Sequence, residues 1–421
     1  ILSETYYGLV GVMLSTAVLL MPVLSFGIPN TMVKYYAGFK QRKDLQSFLT
    51  LALLLPLLAI LPLGAFSYLA NETIGAFLAR KNAIVADYVG PIFWIGFFMA
   101  YFEVFFAWSK VCLKSTFGTF LKEVFVRIGV TLLLLLLFSG YLTEPEFLYG
   151  LTALYGLRTL VMAVHALRLQ PLKPRASLPR GTAGILKYSS LIILGGSISV
   201  VLLEIDRFMI NQYIQIENVA YYTVAVFIAT VIIVPFRSMN QIAYPLTASL
   251  MNAEDYKGLR ELYKRSSLSL LTIAALIFLG VLLNLEDLYL LLPENYRGGF
   301  QVVLLLGLAR LFDSFLGINT AILYNSRYYG TLLLMGVLLG LLTIVLNAWL
   351  IPKQGLTGAA LATFISIALY NVAKLLFVKW KFGLVPWSRN SLMVFALSIG
   401  TYILIYWMQF GFHPLVNILL K

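Results

Sequence analysis

SFLTLALLLPLLAILPLGAFSYLA, residues 47–70, runs for twenty-four positions without a charged side chain. About 20 helical residues cross the roughly 30 Å hydrocarbon core of a bilayer. Leucines occupy adjacent positions here, as they do in TLLLLLLFSG from Thr131, so the pattern is not the period-two alternation of a barrel strand. Comparable runs span 8–32, 84–108, 118–141, 148–167, 188–211, 219–248, 267–285, 299–323, 330–350, 356–378 and 390–409. Together they predict an all-α polytopic membrane protein with twelve complete crossings and a partial stretch at 412–420.

The composition agrees. The 421 residues are 60% apolar and 12% charged, with mean hydropathy +0.88. Soluble domains average about 45–50% apolar and about 25% charged. This excludes a water-soluble enzyme of one or two domains. One cysteine, Cys112, excludes an internal disulfide, and two histidines, His165 and His413, leave little for a metal cluster. No metal site and no cofactor are expected. The sequence holds neither a GxxxxGK[ST] phosphate loop nor an HExxH motif.

The formal charge of +13 follows topology rather than a nucleic-acid face. Alternate connections carry Lys34, Lys40, Arg42 and Lys43; Lys110, Lys114, Lys122 and Arg127; Arg168, Lys173, Arg175, Arg180 and Lys187. The same set continues with Lys257, Arg260, Lys264, Arg265, Arg327, Lys374, Lys379, Lys381 and Arg389. The opposite connections hold Arg80, Lys81, Arg297 and Lys353, among many acids. Twenty-two basic residues against four predict that the first set is cytoplasmic. Ile1 then lies outside, directly before a crossing and without a signal peptide, so a further helix is expected upstream.

Two halves of the chain echo each other. YYGLVGVM from Tyr6 matches YYTVAVFI from Tyr221, and prolines follow at Pro22 and Pro29 against Pro235 and Pro245. AYFEVF from Ala100 parallels ARLFDSF from Ala309, which makes Glu103 and Asp313 equivalent. An offset of six crossings implies two six-helix lobes of the same orientation around a central cavity, the first lacking its opening helix. The expected boundaries are 1–170 for the N-terminal lobe, 171–187 for a cytoplasmic linker, 188–378 for the C-terminal lobe and 379–421 for additional C-terminal helix or helices. Pro22, Gly27, Pro29, Pro235 and Pro245 are candidate hinges, because proline removes a backbone hydrogen bond and permits bending.

Arg158, Arg237 and Arg310 fall near mid-depth, where each costs roughly 2.5–3.5 kcal/mol on insertion scales. The economical arrangement turns them toward a water-filled cavity, where guanidinium groups match phosphate oxygens with paired hydrogen bonds. They are the candidate substrate-binding residues. Glu103, Glu204, Asp206, Arg207 and Asp313 are candidates for ion coupling or structural pairing. Arg310 with Asp313, and Arg207 with Glu204, stand three apart and could pair along a helix.

LSETYYGLVGVM from Leu2, LSFGIPNTMVKYY from Leu24, EIDRFMINQY from Glu204 and AYYTVAVFIATVIIVPFRSMNQIAYP from Ala220 resemble the polysaccharide-export and O-antigen (Wzx-like) flippase family. That family is a branch of the multidrug, oligosaccharidyl-lipid and polysaccharide transporters. The resemblance implies a flippase, not an enzyme, in the bacterial inner (cytoplasmic) membrane. It would carry undecaprenyl-diphosphate-linked oligosaccharide from the cytoplasmic to the periplasmic leaflet by alternating access, among membrane lipids and beside glycan polymerase and glycosyltransferase partners. It places Asp206 and Arg207 in an acidic-basic pair and Arg237 and Arg310 in a cationic lining; no family motif fixes Arg158. A multidrug or other small-molecule antiporter of the same fold and a lipid II flippase remain open. An antiporter of cations should show an acid-dominated cavity. A membrane-embedded polymerase or ligase would carry a larger outer loop.

Overall fold

The computed structural model describes residues 2–39, 42–406 and 414–420, all as helices and their connections. Ile1, Lys40, His413 and the end of the run expected at 390–409 lie outside the described residues. The helices are α1 Glu4–Leu24, α2 Ile28–Tyr35, α3 Arg42–Leu69, α4 Asn71–Leu78, α5 Val89–Val111 and α6 Ser115–Phe120. They continue with α7 Val126–Phe138, α8 Glu144–Leu169, α9 Thr182–Tyr213, α10 Glu217–Thr230, α11 Val234–Asn252 and α12 Tyr256–Leu283. The remainder are α13 Leu285–Leu290, α14 Phe300–Phe315, α15 Asn319–Tyr324, α16 Tyr329–Phe382, α17 Arg389–Tyr406 and α18 Pro414–Leu420.

Local chemistry sets several boundaries. Ser3 caps α1 by accepting from the Tyr6 N–H, and Thr143 with Glu146 forms a capping box at the start of α8. Between α1 and α2 the chain reverses its twist at Phe26 and Gly27, φ 51° and 64°. Gly27 answers two demands there: the left-handed φ, and a close approach in which a Cβ would lie 2.5 Å from the Ser189 carbonyl oxygen of α9. Pro29 then sits in the first turn of α2, where its missing N–H loses nothing. Pro235 likewise occupies the first turn of α11, after a 3₁₀ turn at Val231–Ile233, rather than bending one continuous helix. Pro22 and Pro245 lie inside α1 and α11.

Among the described residues, eight helices are long and apolar enough to cross a membrane. One of them, α16, is two helices that meet at Gly355 (φ 57°, ψ −130°). A Cβ on Gly358 would fall against the Leu350 carbonyl, and Met335, Leu338 and Leu342 share a groove with Ser366, Leu369 and Ala373. The chain therefore folds back at the glycine, which corresponds to the expected runs at 330–350 and 356–378. Leu58, Leu61, Leu132, Leu276, Leu341 and Leu404 are all more than half exposed. Such surface suits lipid rather than water.

Two compact units divide the chain, Ile1–Ala220 and Tyr221–Lys421. In the first, α5 packs on α1, α2, α3 and α8, and Ile28, Met32, Phe48, Leu49 and Trp108 lie in one buried cluster. Helix α9, expected to open the second lobe, packs on α1 and α2. In the second unit, α14 packs on α12 and α16, with Leu259, Tyr263, Ile318 and Ile322 in the corresponding cluster. Lipid tails are as apolar as leucine, so close packing and interhelical polar bonds carry the association. The Thr159 hydroxyl donates to the Phe98 carbonyl at 2.8 Å, Tyr101 to Leu53 at 3.0 Å, and Ser267 to Phe315 at 2.6 Å.

Candidate functional site

Arg158, Arg237 and Arg310 occupy three different environments. Arg158, on α8, is only 6% exposed. Its guanidinium carbon lies 4.1 Å from the Phe102 ring centroid and 4.6 Å from that of Tyr155, one turn earlier on its own helix. Its Nε has no hydrogen-bond partner, and among the described residues no carboxylate lies within 4.0 Å of the guanidinium. Glu103 on the neighbouring helix α5 is adjacent in sequence to Phe102. Ring faces offset part of the burial penalty, about 0.5–2 kcal/mol per contact. They supply no oxygen acceptor.

Arg310, on α14, pairs with Asp313 at 3.4 Å, the i,i+3 geometry legible in the sequence. Arg237, in the first turns of α11, is exposed and forms no ion pair among the described residues. Arg207 and Glu204 on α9 pair at 2.6 Å, and Asp206 between them is 4% exposed with interactions of its own.

Glu103 is drawn into a cluster that sequence spacing does not reveal. A π-helical turn at Leu121–Phe125 separates α6 from α7 and carries Lys122. Its Nζ lies 2.5 Å from Glu103 Oε1. The same carboxylate and Lys110 line a cavity of about 180 Å³ beneath the α1–α2 break, together with Pro22, Gly27, Pro29 and Asn30. The structure thus gathers three candidate hinge residues and one candidate coupling acid around a single space.

Lys374 requires a correction. Reading it as a cytoplasmic loop charge fails, because it lies inside α16 with 5% exposure. Its Nζ donates to the Thr320 hydroxyl at 3.2 Å and stands 4.3 Å from the Tyr370 ring centroid. Neighbouring Asn371 donates to Asp313 Oδ1 at 2.9 Å. Leu375, Leu376, Phe377 and Val378 continue the apolar run past the lysine, and that continuation was the signal available in the sequence.

The units therefore share a local pattern. In the first, a cation on α8 rests on a tyrosine one turn earlier and faces the helix bearing Glu103. In the second, a cation on the latter half of α16 rests on Tyr370 and faces the helix bearing Asp313. Among the described residues no group of three His, Cys, Asp or Glu side chains could hold a metal ion. A buried cation with unused donors can accept an oxyanion.

No family model matches the sequence, and no curated protein matches it either. Solved structures do. The fold is similar to that of the lipid II flippase MurJ in an inward closed conformation, with TM-score 0.75 and 15% identity over 99% of this chain and 94% of that one. It is also similar to an inward-facing multidrug resistance MATE family transporter of the MOP superfamily, with TM-score 0.69 and 13% identity over 91% of this chain and 95% of that one. The chain is an all-α polytopic membrane protein with the fold these transporters share.

Proposed function

We propose that this protein is a flippase for a lipid-linked oligosaccharide whose diphosphate head group is bound at buried cationic side chains and carried across the membrane by alternating access. The observation that carries the proposal is Arg158, a buried guanidinium between two aromatic rings with no oxygen partner among the described residues. An uncompensated charge in such a place costs several kcal/mol. A site that tolerates this needs an anion at some stage of its cycle. Phosphate oxygens satisfy a guanidinium with two parallel hydrogen bonds.

The fold likeness to a lipid II flippase supports a lipid-linked diphosphate as substrate. The sequence resemblance to the O-antigen export family points to the undecaprenyl-linked class and to an inner membrane. A drug-extruding role on the same fold would call for a carboxylate in place of Arg158. Arg237 and Arg310 take secondary places in this reading: the first is exposed to an arriving head group, the second already holds a carboxylate. An anion moving outward under an inside-negative potential gains about 2.3 kcal/mol per charge per 100 mV. That is adequate drive without nucleotide.

The test is complementation in strains lacking a defined O-antigen flippase or depleted of the lipid II flippase, with mass spectrometry of lipid-linked intermediates retained inside. The wild-type chain should restore export in one of them. Arg158→Met should insert normally and export nothing. Normal export by that variant overturns the proposal.

A further inference from the structure

We infer that Arg310 and Lys374 form a phosphate-type oxyanion subsite within the second unit, and that the Asp313 carboxylate is an internal counter-ion occupying it until the ligand displaces it. The identity of the ligand as a lipid-linked diphosphate rests on the transport reading above; the subsite itself rests on the following geometry.

Helices α14 and α16 pack on each other and carry two cations near one carboxylate: Arg310 pairs with Asp313, and Lys374 stands one turn past Asn371, which bonds the same carboxylate. Arg310 reaches Asp313 at 3.4 Å, longer than the roughly 2.7–2.9 Å of a tight charge-assisted bond. Asn371 holds the other carboxylate oxygen at 2.9 Å. Lys374, though 5% exposed, makes one hydrogen bond, to Thr320, and has no carboxylate within 4.0 Å among the described residues. An ammonium carries three donors, so two remain for a ligand. The cluster holds one positive charge in excess, in an environment where an unmatched charge is expensive. A phosphate oxyanion has the acceptors both cations need and more charge than a carboxylate, so it competes with Asp313 for them.

The experiment uses the full chain in detergent or nanodiscs, titrated calorimetrically with inorganic pyrophosphate. Asp313→Asn removes the competitor while keeping its shape and should tighten pyrophosphate binding about ten-fold, close to the worth of one charge-assisted hydrogen bond. Asp313→Ala removes the same carboxylate with its shape and should move affinity in the same direction, which decides the matter if Asp313→Asn fails to fold. Adding Lys374→Met to either variant should abolish the gain. Affinity unchanged in both variants, or a gain that survives Lys374→Met, overturns the subsite.

Farnesyl diphosphate titrated in parallel identifies the source. A gain of the same factor assigns the subsite to a lipid head group, and a gain for pyrophosphate alone assigns it to free phosphate; both uphold it. Loss of export in Arg158→Met with no change in Asp313→Asn would leave the transport reading standing and remove this one.

Discussion

Replacing Arg158 with methionine should make the protein more stable and at the same time inactive. Methionine follows the arginine stem between Phe102 and Tyr155, whose ring centroids stand 4.1 and 4.6 Å from the guanidinium carbon. The variant forfeits two ring contacts, roughly 1–4 kcal/mol in sum, of which the methionine sulfur's own ring contacts return about 0.3–1.5 kcal/mol each. It also removes a buried cation whose unpaired state costs several kcal/mol. The balance favours methionine by about 1–3 kcal/mol. At an unfolding entropy of about 2.1 cal/mol/K per residue, a chain of 421 residues shifts by about 1 °C per kcal/mol, so the unfolding midpoint should rise by about 1–3 °C. Tryptophan fluorescence during a thermal ramp of detergent-solubilised protein measures this, and complementation measures export in parallel. Arg158→Lys, which keeps charge but not the planar fork, should retain wild-type stability and only part of the export. A fall of the midpoint in Arg158→Met would refute the reasoning, because it would mean the guanidinium is already compensated and serves the fold.

Three further outcomes follow from other parts of the molecule. Asn82 donates to the Asn211 carbonyl at 2.9 Å and to that of Ile214 at 3.0 Å, and accepts from the Ile216 N–H at 2.9 Å. Asn82→Ala should cost about 2–4 kcal/mol and speed hydrogen exchange across 211–216, as expected when several buried groups lose one partner. Gly27→Ala, at φ 64° with a Cβ meeting the Ser189 carbonyl, should cost about 1–3 kcal/mol, whereas Gly38→Ala, which meets nothing, should be near neutral in the same thermal ramp. In a Cys112→Ser background, exposed Lys381→Cys should react with a membrane-impermeant maleimide from the cytoplasmic side alone.

Two helix breaks deserve comparison, since both were marked by residue type. The α1–α2 turn combines Gly27 with Pro29 above a cavity containing Glu103, and the α10–α11 break places Pro235 in a fresh first turn. In each, proline begins a helix instead of bending one. A hinge at these positions would work by rotation about the short connections, with the helices moving as rods.

The sequence alone determined the membrane class, the helical state of the apolar runs and the pairs Arg310–Asp313 and Arg207–Glu204, but not the breaks inside the runs at 8–32 and 219–248. Hydropathy sums locally along the chain, and i,i+3 neighbours share a face whatever surrounds the helix. Tertiary structure decided everything that depends on which face meets which neighbour. Phe102 lies far from Arg158 in the chain but against it in space, Lys122 reaches Glu103 through a π-helical turn, and Lys374 is buried although its flanking charges suggest a loop. A charge's environment is set by packing between distant segments, and no local sum contains that information.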